Sequence, residues 1–234
     1  MEIIPHHSGS SGNLYEIKGE NTRIVIDAGV PFKAFQKALR FDLHLDGILL
    51  THTHKDHAHC IKDCLFWNIP LYTTQGSKEE LKLEVGNFHI FEKCNTFYKK
   101  VKINDFEILP IPTHHDTKEP VGFYIKELST NEDLLFMIDT AKIPLKVSNC
   151  TYYMLECNYV DHILDENDIN EQLKSRVRDT HFALSSLLSY LKSIKIEKTK
   201  HLYLMHLSDK NSDETEIERE VKQVVSVPIT ICQR

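Results

Sequence analysis

The apolar run LDGILLT, residues 45–51, leads directly into THTHKDHAHC, so that four histidines and one aspartate fall between residues 50 and 60. A short apolar run of this kind reads as a buried strand. A strand end is rigid, and the loop leaving it can hold several side chains against one small volume. His52, His54, Asp56 and His57 form the pattern H-x-H-x-D-H, in which imidazole nitrogens and a carboxylate lie close enough to ligate metal from a single loop. Neutral imidazole and carboxylate suit zinc, while ligand type alone leaves manganese, iron and cobalt open. A lone histidine is more often a surface or hydrogen-bonded core residue. A cluster at the end of an apolar strand reads as a site.

The same arrangement returns three times further along the chain. FEILPIPTHHD runs into His114 and His115, DLLFMIDT reaches Asp139, and HLYLMHLS carries His206 near its end. Alternation along a strand sends His114 and His115 to opposite faces, so one of the two is expected to bind. His6 and His7 close a first strand before SGSSGN, as the rim of a site or as ordinary polar surface. The SGSSGN composition suits backbone amides approaching an anion, and equally any tight turn.

The elements between these points set the fold class. NLYEIKG and TRIVIDAG read as a hairpin around residues 19–21, and VPFKAFQKAL has helical spacing with Pro31 in its first turn. AHCIKDCLFWN predicts a helix, IPLYTT a strand, and SKEELKLEVG a helix capped by Ser77 with Glu80 completing a capping box. Four β-type stretches follow: TFYKKVKINDFEILPIPT, VGFYIKEL, DLLFMIDT and CTYYMLECN. Then come helices over DINEQLKSRV and FALSSLLSYLKSI, the strand HLYLMHLS, a helix over SDETEIEREVKQVV and a last strand PITIC. Two successive rounds of strands and helices predict an α/β fold, an αββα sandwich of two sheets packed face to face with helices outside. Residues 1–234 are expected to form one domain.

Charge and composition narrow the function classes. A net charge of -6 leaves no general excess of Lys and Arg for tight, non-specific binding to nucleic acid. The lysines of YKKVK alternate on a strand, which reads as a solvated face. Six cysteines spread over 234 residues do not suggest a disulfide framework, and Cys60 and Cys64 fit one helix face. The amino terminus lacks the features of a signal peptide and no long apolar run occurs, so a soluble, intracellular protein away from membranes is expected.

With these residues in view, THTHKDH resembles the signature of the metallo-β-lactamase superfamily, and IDAG, IDT and LMHLS follow in the order that superfamily uses. The resemblance implies the αββα fold with two mixed sheets. It also implies that His52, His54 and His115 hold one metal, that Asp56, His57 and His206 hold a second, and that Asp139 bridges them. His115 is preferred over His114 because HDTKEP resembles a branch with His-Asp followed by Glu-Pro. Asp27 corresponds to an acid that orients a ligand or the histidine loop. Two zinc ions, or manganese in their place, would lower the pKa of a shared water and neutralise charge on a phosphoryl group, with Asp56 holding the proton.

RVRDTHFALSSLL resembles a segment of the phosphodiesterase branch in which a histidine opens a helix. That likeness gives His181 a catalytic role, bonding a phosphate oxygen or protonating the leaving oxygen, with Arg176 and Arg178 as a phosphate clamp or as solvated charges. Within the branch, the chain resembles compact phage-encoded anti-Pycsar enzymes that open cyclic mononucleotides such as cyclic CMP and cyclic UMP. A compact, acidic chain favours that small nucleotide substrate. A DNA or RNA nuclease is the alternative, and a nucleotide-sequestering binding protein the non-enzymatic one. The resemblance further implies a homodimer, with Phe66 and Trp67 of CLFWNIPLY serving an interface or a core, and a cytoplasmic location, that of the host if the chain is phage-encoded.

Overall fold

The alternating runs flanking Gly19 pair as the sequence predicts: β2 (Leu14–Lys18) and β3 (Arg23–Ile26) are antiparallel, closed by a bond from the Gly19 N–H to Thr22 O at 2.8 Å. They belong to a computed structural model that describes residues 1–233, grouped into two compact units. The first unit comprises Met1–Pro112 and Thr117–Glu132, with Gln233. β1 (Glu2–His7) pairs antiparallel with β2 on one side. On the other side of β3, the order continues in parallel through β4 (Gly47–Leu49), β5 (Leu71–Thr73) and β6 (Phe88–Ile90).

Four helices connect these strands: α1 (Phe32–Ala38), α2 (Lys55–Ala58), α3 (Ile61–Phe66) and α4 (Gln75–Leu81). Phe35 and Leu39 of the α1 segment and Ile61, Cys64 and Leu65 of α3 share one core with Val25, Ile48 and Leu71 of the sheet. Burying such side chains stabilises by roughly 1.5–3 kcal/mol each. A two-stranded ribbon, β7 (Lys93–Cys94) and β8 (Phe97–Tyr98), precedes an antiparallel set of β9 (Val101–Ile103), β10 (Phe106–Pro112) and β11 (Val121–Glu127). Phe123 of β11 meets Phe91 with ring centroids 5.9 Å apart, and the Thr22 hydroxyl donates to Ile103 O at 3.4 Å.

The second unit comprises Thr113–Asp116 and Asp133–Cys232. Its sheet is parallel: β12 (Asp133–Met137), β13 (Tyr152–Glu156), β14 (His201–Met205) and β15 (Ile229–Ile231) lie side by side in that order. Near-continuous apolar runs are what such strands need, because both faces are covered. Leu134, Leu135, Phe136, Met154 and Leu155 are accordingly fully buried. Crossovers carry α5 (Asp161–Glu166), α6 (Glu171–Thr180), α7 (Leu184–Ser193) and α8 (Glu214–Val224).

Several expectations change. α4 begins before Ser77: Thr74 is its cap and its hydroxyl accepts from the Ser77 N–H, so Ser77 occupies the third helical position and no Ser77–Glu80 box forms. α2 and α5 are short helices that periodicity over longer windows did not isolate. TFYKKVKINDFEILPIPT holds three strands, and Lys99 and Lys100 pair with Glu92 and Glu107 at the surface. Phe66 and Trp67 are 88% and 56% exposed, which rules out a core role. The six cysteines are free thiols. No helix among the described residues is long and apolar enough to cross a membrane.

Candidate metal centre

In the first unit the THTHKDH segment leaves β4 and turns at once into α2, whose N-cap is His54. The short helix gathers the imidazoles: the His52 ring lies 4.1 Å from that of His57 and 5.0 Å from that of His54, centroid to centroid. Asp27, one residue beyond β3, is fully buried beneath them. Its Oδ1 accepts from the Thr51 N–H at 2.8 Å, and its Oδ2 accepts from His57 Nδ1 at 2.7 Å. A carboxylate on Nδ1 fixes the imidazole tautomer, leaving Nε2 as the nitrogen with a lone pair. Asp56 is half-buried, its Oδ2 3.5 Å from His57 Nε2.

The SGSSGN turn has a structural task. Asn13 receives the Gly9 N–H on its Oδ1, and both its backbone N–H and its Nδ2 donate to Asp56 O, at 2.8 and 3.1 Å. Gly29 packs so closely under this loop that a Cβ there would stand 1.6 Å from Asp56 O. The turn therefore positions the ligand loop. His6 bonds Glu16 at 2.9 Å beside Arg23, a structural cluster.

In the second unit β12, β13 and β14 deliver side chains to one edge, because parallel strands end together. Asp139 lies two residues past β12, Glu156 closes β13 and His206 follows β14. Asp139 Oδ1 is 3.2 Å from His206 Nδ1, and its Oδ2 is 3.7 Å from His115 Nε2, so one carboxylate faces two imidazoles. His115, buried, donates from Nδ1 to Thr180 O at 3.0 Å, whereas His114 is exposed. Burial lowers the His115 pKa, which keeps the imidazole neutral as a ligand must be. Asp27, Asp139 and His206 all adopt left-handed backbone, with φ of 62°, 46° and 56°.

His181 does not open a helix; it is the C-cap of α6, its N–H bonded to Val177 O, because the chain turns extended before α7 begins. Its Nδ1 donates to Glu156 Oε1 at 2.6 Å. Burial works against a charge there, but Glu156 and Asp139 outweigh it and push the His181 pKa up to about 10. Glu156 was not anticipated. Its signal was present, since CTYYMLECN is a fourth apolar strand ending in a ligand-type residue. Its second oxygen accepts from the Thr140 and Phe182 N–H groups at 3.0 and 3.2 Å, which locks the carboxylate. Arg176 bonds Asp116 and Arg178 pairs with Asp165, so neither is a clamp held ready for phosphate. Asp139, Glu156, His181 and His206 each place a donor atom within 4.8 Å of the others. Of these, the Asp139 carboxylate and the His206 imidazole suit a divalent ion, whereas His181, held protonated by Glu156, is a proton-bearing neighbour of that site.

The family profile described as "Beta-lactamase superfamily domain" matches residues 22–207. The chain belongs to the β-lactamase superfamily. This β-lactamase-superfamily chain is 28% identical over 225 residues to "Exodeoxyribonuclease WalJ" of Streptococcus pneumoniae serotype 2, covering 88% of the chain and 81% of the relative. It is 26% identical over 230 residues to "Exodeoxyribonuclease YycJ" of Bacillus anthracis, covering 93% and 86%. Among solved structures it is similar to the metallo-β-lactamase fold protein YhfI from Bacillus subtilis, with a TM-score of 0.76, 15% identity, and 99% and 96% of the two chains covered. The superfamily member described here has that mixed α/β fold and is a metal-dependent hydrolase with a His/Asp cluster able to bind metal ions.

Proposed function

We propose that this chain, a metal-dependent phosphoric diester hydrolase, cleaves the backbone of DNA. Buried Asp139 and His206, with half-buried His181 held on Glu156 beside them, carry the reading of phosphodiester chemistry: ligand atoms next to a proton-bearing imidazole. The likeness to two proteins named exodeoxyribonucleases, over most of both lengths, supports DNA as the substrate. On this reading His52, His54 and His115 would hold one ion and Asp56, His57 and His206 a second, with Asp139 as a ligand open to either. Two zinc ions, or manganese, when bound supply an activated water at neutral pH and neutralise charge on the phosphoryl oxygens.

The chain's own side chains do the rest. Asp27 and Thr51 hold His57 in one tautomer, and Asp56 takes a proton at its carboxylate. Glu156 keeps a proton on His181, which bonds a phosphate oxygen or protonates the leaving oxygen. The interleaved units are read as parts of one domain spanning residues 1–234, working in the cytoplasm. A homodimer belongs to the same reading, with exposed Phe66 and Trp67 as its contact, to be tested by sedimentation.

A second reading, hydrolysis of cyclic mononucleotides such as cyclic CMP and cyclic UMP to block host immune signalling, as by the anti-Pycsar enzymes of phages, is favoured by the net charge of -6. One experiment separates the two. The metal-loaded protein is incubated with labelled single- and double-stranded DNA, RNA and a panel of 3′,5′-cyclic mononucleotides, with Asp56→Ala as blank. Shortened DNA with intact cyclic compounds is the expected result. Linear mononucleotide with intact polymers selects the second reading, and binding without product from any substrate overturns both in favour of sequestration.

A further inference from the structure

The loop after Asp139 reads AKIPLKVSN, and the end of α7 with the segment after it reads LKSIKIEKTK; together they hold six lysines and a single glutamate, on a chain of net charge -6. The fold brings these two segments of the second unit together. The Asn149 N–H donates to Lys195 O at 2.6 Å, the Lys195 N–H to Ser148 Oγ at 3.1 Å and the Lys198 N–H to Asn149 Oδ1 at 3.4 Å. The Val147 N–H reaches Tyr190 Oη at 3.4 Å, tying the loop to α7. Lys142, Lys146, Lys192, Lys195 and Lys198 are all exposed. Elsewhere Lys93, Lys99, Lys100, Lys174 and Lys222 are paired with carboxylates, and lysines without such a partner among the described residues, such as Lys33, Lys37 and Lys62, lie on α1 and α3 of the first unit. None of the five patch lysines has a carboxylate partner among the described residues.

The groove beside the patch is lined by chain neighbours of the cluster in the same unit. Lined by Ala141, Lys142, Ile143, Phe182, Ser185 and Ser189, it runs between the loop and α7. Ala141 stands two residues from Asp139, and Phe182 is next to His181. An acidic protein gains nothing for a small cyclic nucleotide from five lysines strung along a loop and a helix end. A phosphodiester polymer, with one charge per nucleotide, gains a contact at each of them.

We propose that Lys142, Lys146, Lys192, Lys195 and Lys198 form a track for the phosphate backbone of a single strand of DNA whose terminal phosphodiester lies at the Asp139–Glu156–His181 cluster. The track rests on the polymer reading above. It binds without reading sequence, since the lysine ammonium groups are point charges on flexible stems. Apolar Ile143, half-buried at the groove, flanks the path of the last bases.

The test measures binding of a fluorescein-labelled 20-nucleotide oligothymidine to the metal-free full chain by anisotropy across a salt series, so that turnover plays no part. The triple variant Lys142→Glu, Lys146→Glu, Lys195→Glu is compared with wild type and with a charge-matched control, Lys33→Glu, Lys37→Glu, Lys62→Glu. The expected result is a loss of at least 30-fold in affinity at low salt in the track variant, with the salt slope reduced by about 2, since each phosphate contact on a single strand contributes about 0.7. The control should stay within about threefold of wild type. Equal losses in both triple variants would reduce the effect to net charge and overturn the track, as would a wild type that binds no oligonucleotide. A wild type that binds through the track yet cleaves only cyclic mononucleotides would leave the track standing and overturn the DNA-cleavage reading instead.

Discussion

The Asp27 carboxylate accepts the Nδ1 proton of His57 at 2.7 Å, with both side chains fully buried. That bond decides which imidazole nitrogen keeps its lone pair. Asp27→Asn keeps the shape but can present an N–H to Nδ1, favouring the opposite tautomer. Metal affinity, measured by competition with a chromogenic chelator, should fall about 10- to 100-fold, the usual effect of removing such a partner. Unchanged affinity would mean that Asp27 serves packing alone.

Glu156 should matter as a positioning residue for His181. Glu156→Gln is expected to lower kcat on DNA about 100-fold, the scale of losing an oriented general acid. If the two act as one unit, adding His181→Ala to Glu156→Gln costs little more than His181→Ala alone. Additive losses in that double-mutant comparison would separate their roles.

Gly29 has no room for a methyl group, because Asp56 O already fills the space. Gly29→Ala forces the ligand loop outward and should destabilise by about 1–3 kcal/mol, as overpacking does. Urea unfolding reads the stability. The chelator competition should show weaker metal binding in the same variant, whereas a purely local clash would spare it.

Acid stability should report on Glu16. Burial raises its pKa, but hydrogen bonds from His6 and Arg23 and the charges of Arg23 and Lys18 more than offset this and hold it at about 2, from an ordinary 4.5. A folded pKa below the unfolded one adds stability that is complete above about pH 4.5 and lost as pH falls towards 2. With the side chain only 3% exposed, the difference amounts to about 3 kcal/mol. Wild type should therefore exceed Glu16→Gln in thermal stability at pH 7, with the gap falling to less than half by about pH 3 and closing only below about pH 2. A gap independent of pH would point to shape rather than charge.

The chain passes from the first unit to the second, back and again to the second at residues 112, 116 and 132. If residues 1–234 fold as one domain, unfolding is a single transition. Trp67 fluorescence reports on the first unit and near-ultraviolet signals of Tyr152, Tyr153, Tyr159, Tyr190 and Tyr203 weight the second. The two curves should coincide in urea, with midpoints within about 0.2 M for a two-state transition. Separate midpoints would establish two domains.

Much of this was legible in the residues because strand period and ligand placement are local. LDGILLT, DLLFMIDT and HLYLMHLS each announce a strand and the side chain it delivers, and the structure sets His206 and Asp139 at such ends. Glu156 escaped because a glutamate closing CTYYMLECN looks like any surface acid until its neighbours are known. Its partners, the Thr140 and Phe182 amides and His181, come from elsewhere in the chain. The cap of α4 escaped for a smaller reason: both Thr74 and Ser77 suit the position, and the β5 strand end decides between them. The lysine patch joins segments some fifty residues apart, so no window of the sequence shows it.

The left-handed backbone at Asp139 and His206 has an evolutionary consequence. A side chain in that conformation costs about 1 kcal/mol or more that glycine avoids. Asp139 also crowds Glu156 in a buried space, a repulsion that a cation, a protonated imidazole or a shared proton relieves. Asp27 differs, since its oxygens satisfy the Thr51 amide and hydroxyl. A lineage kept only for folding, with its chemistry no longer needed, would lose Asp139 and His206 to glycine early and keep Asp27 long afterwards. In a population of decayed copies, those two positions would mark which chains had stopped working.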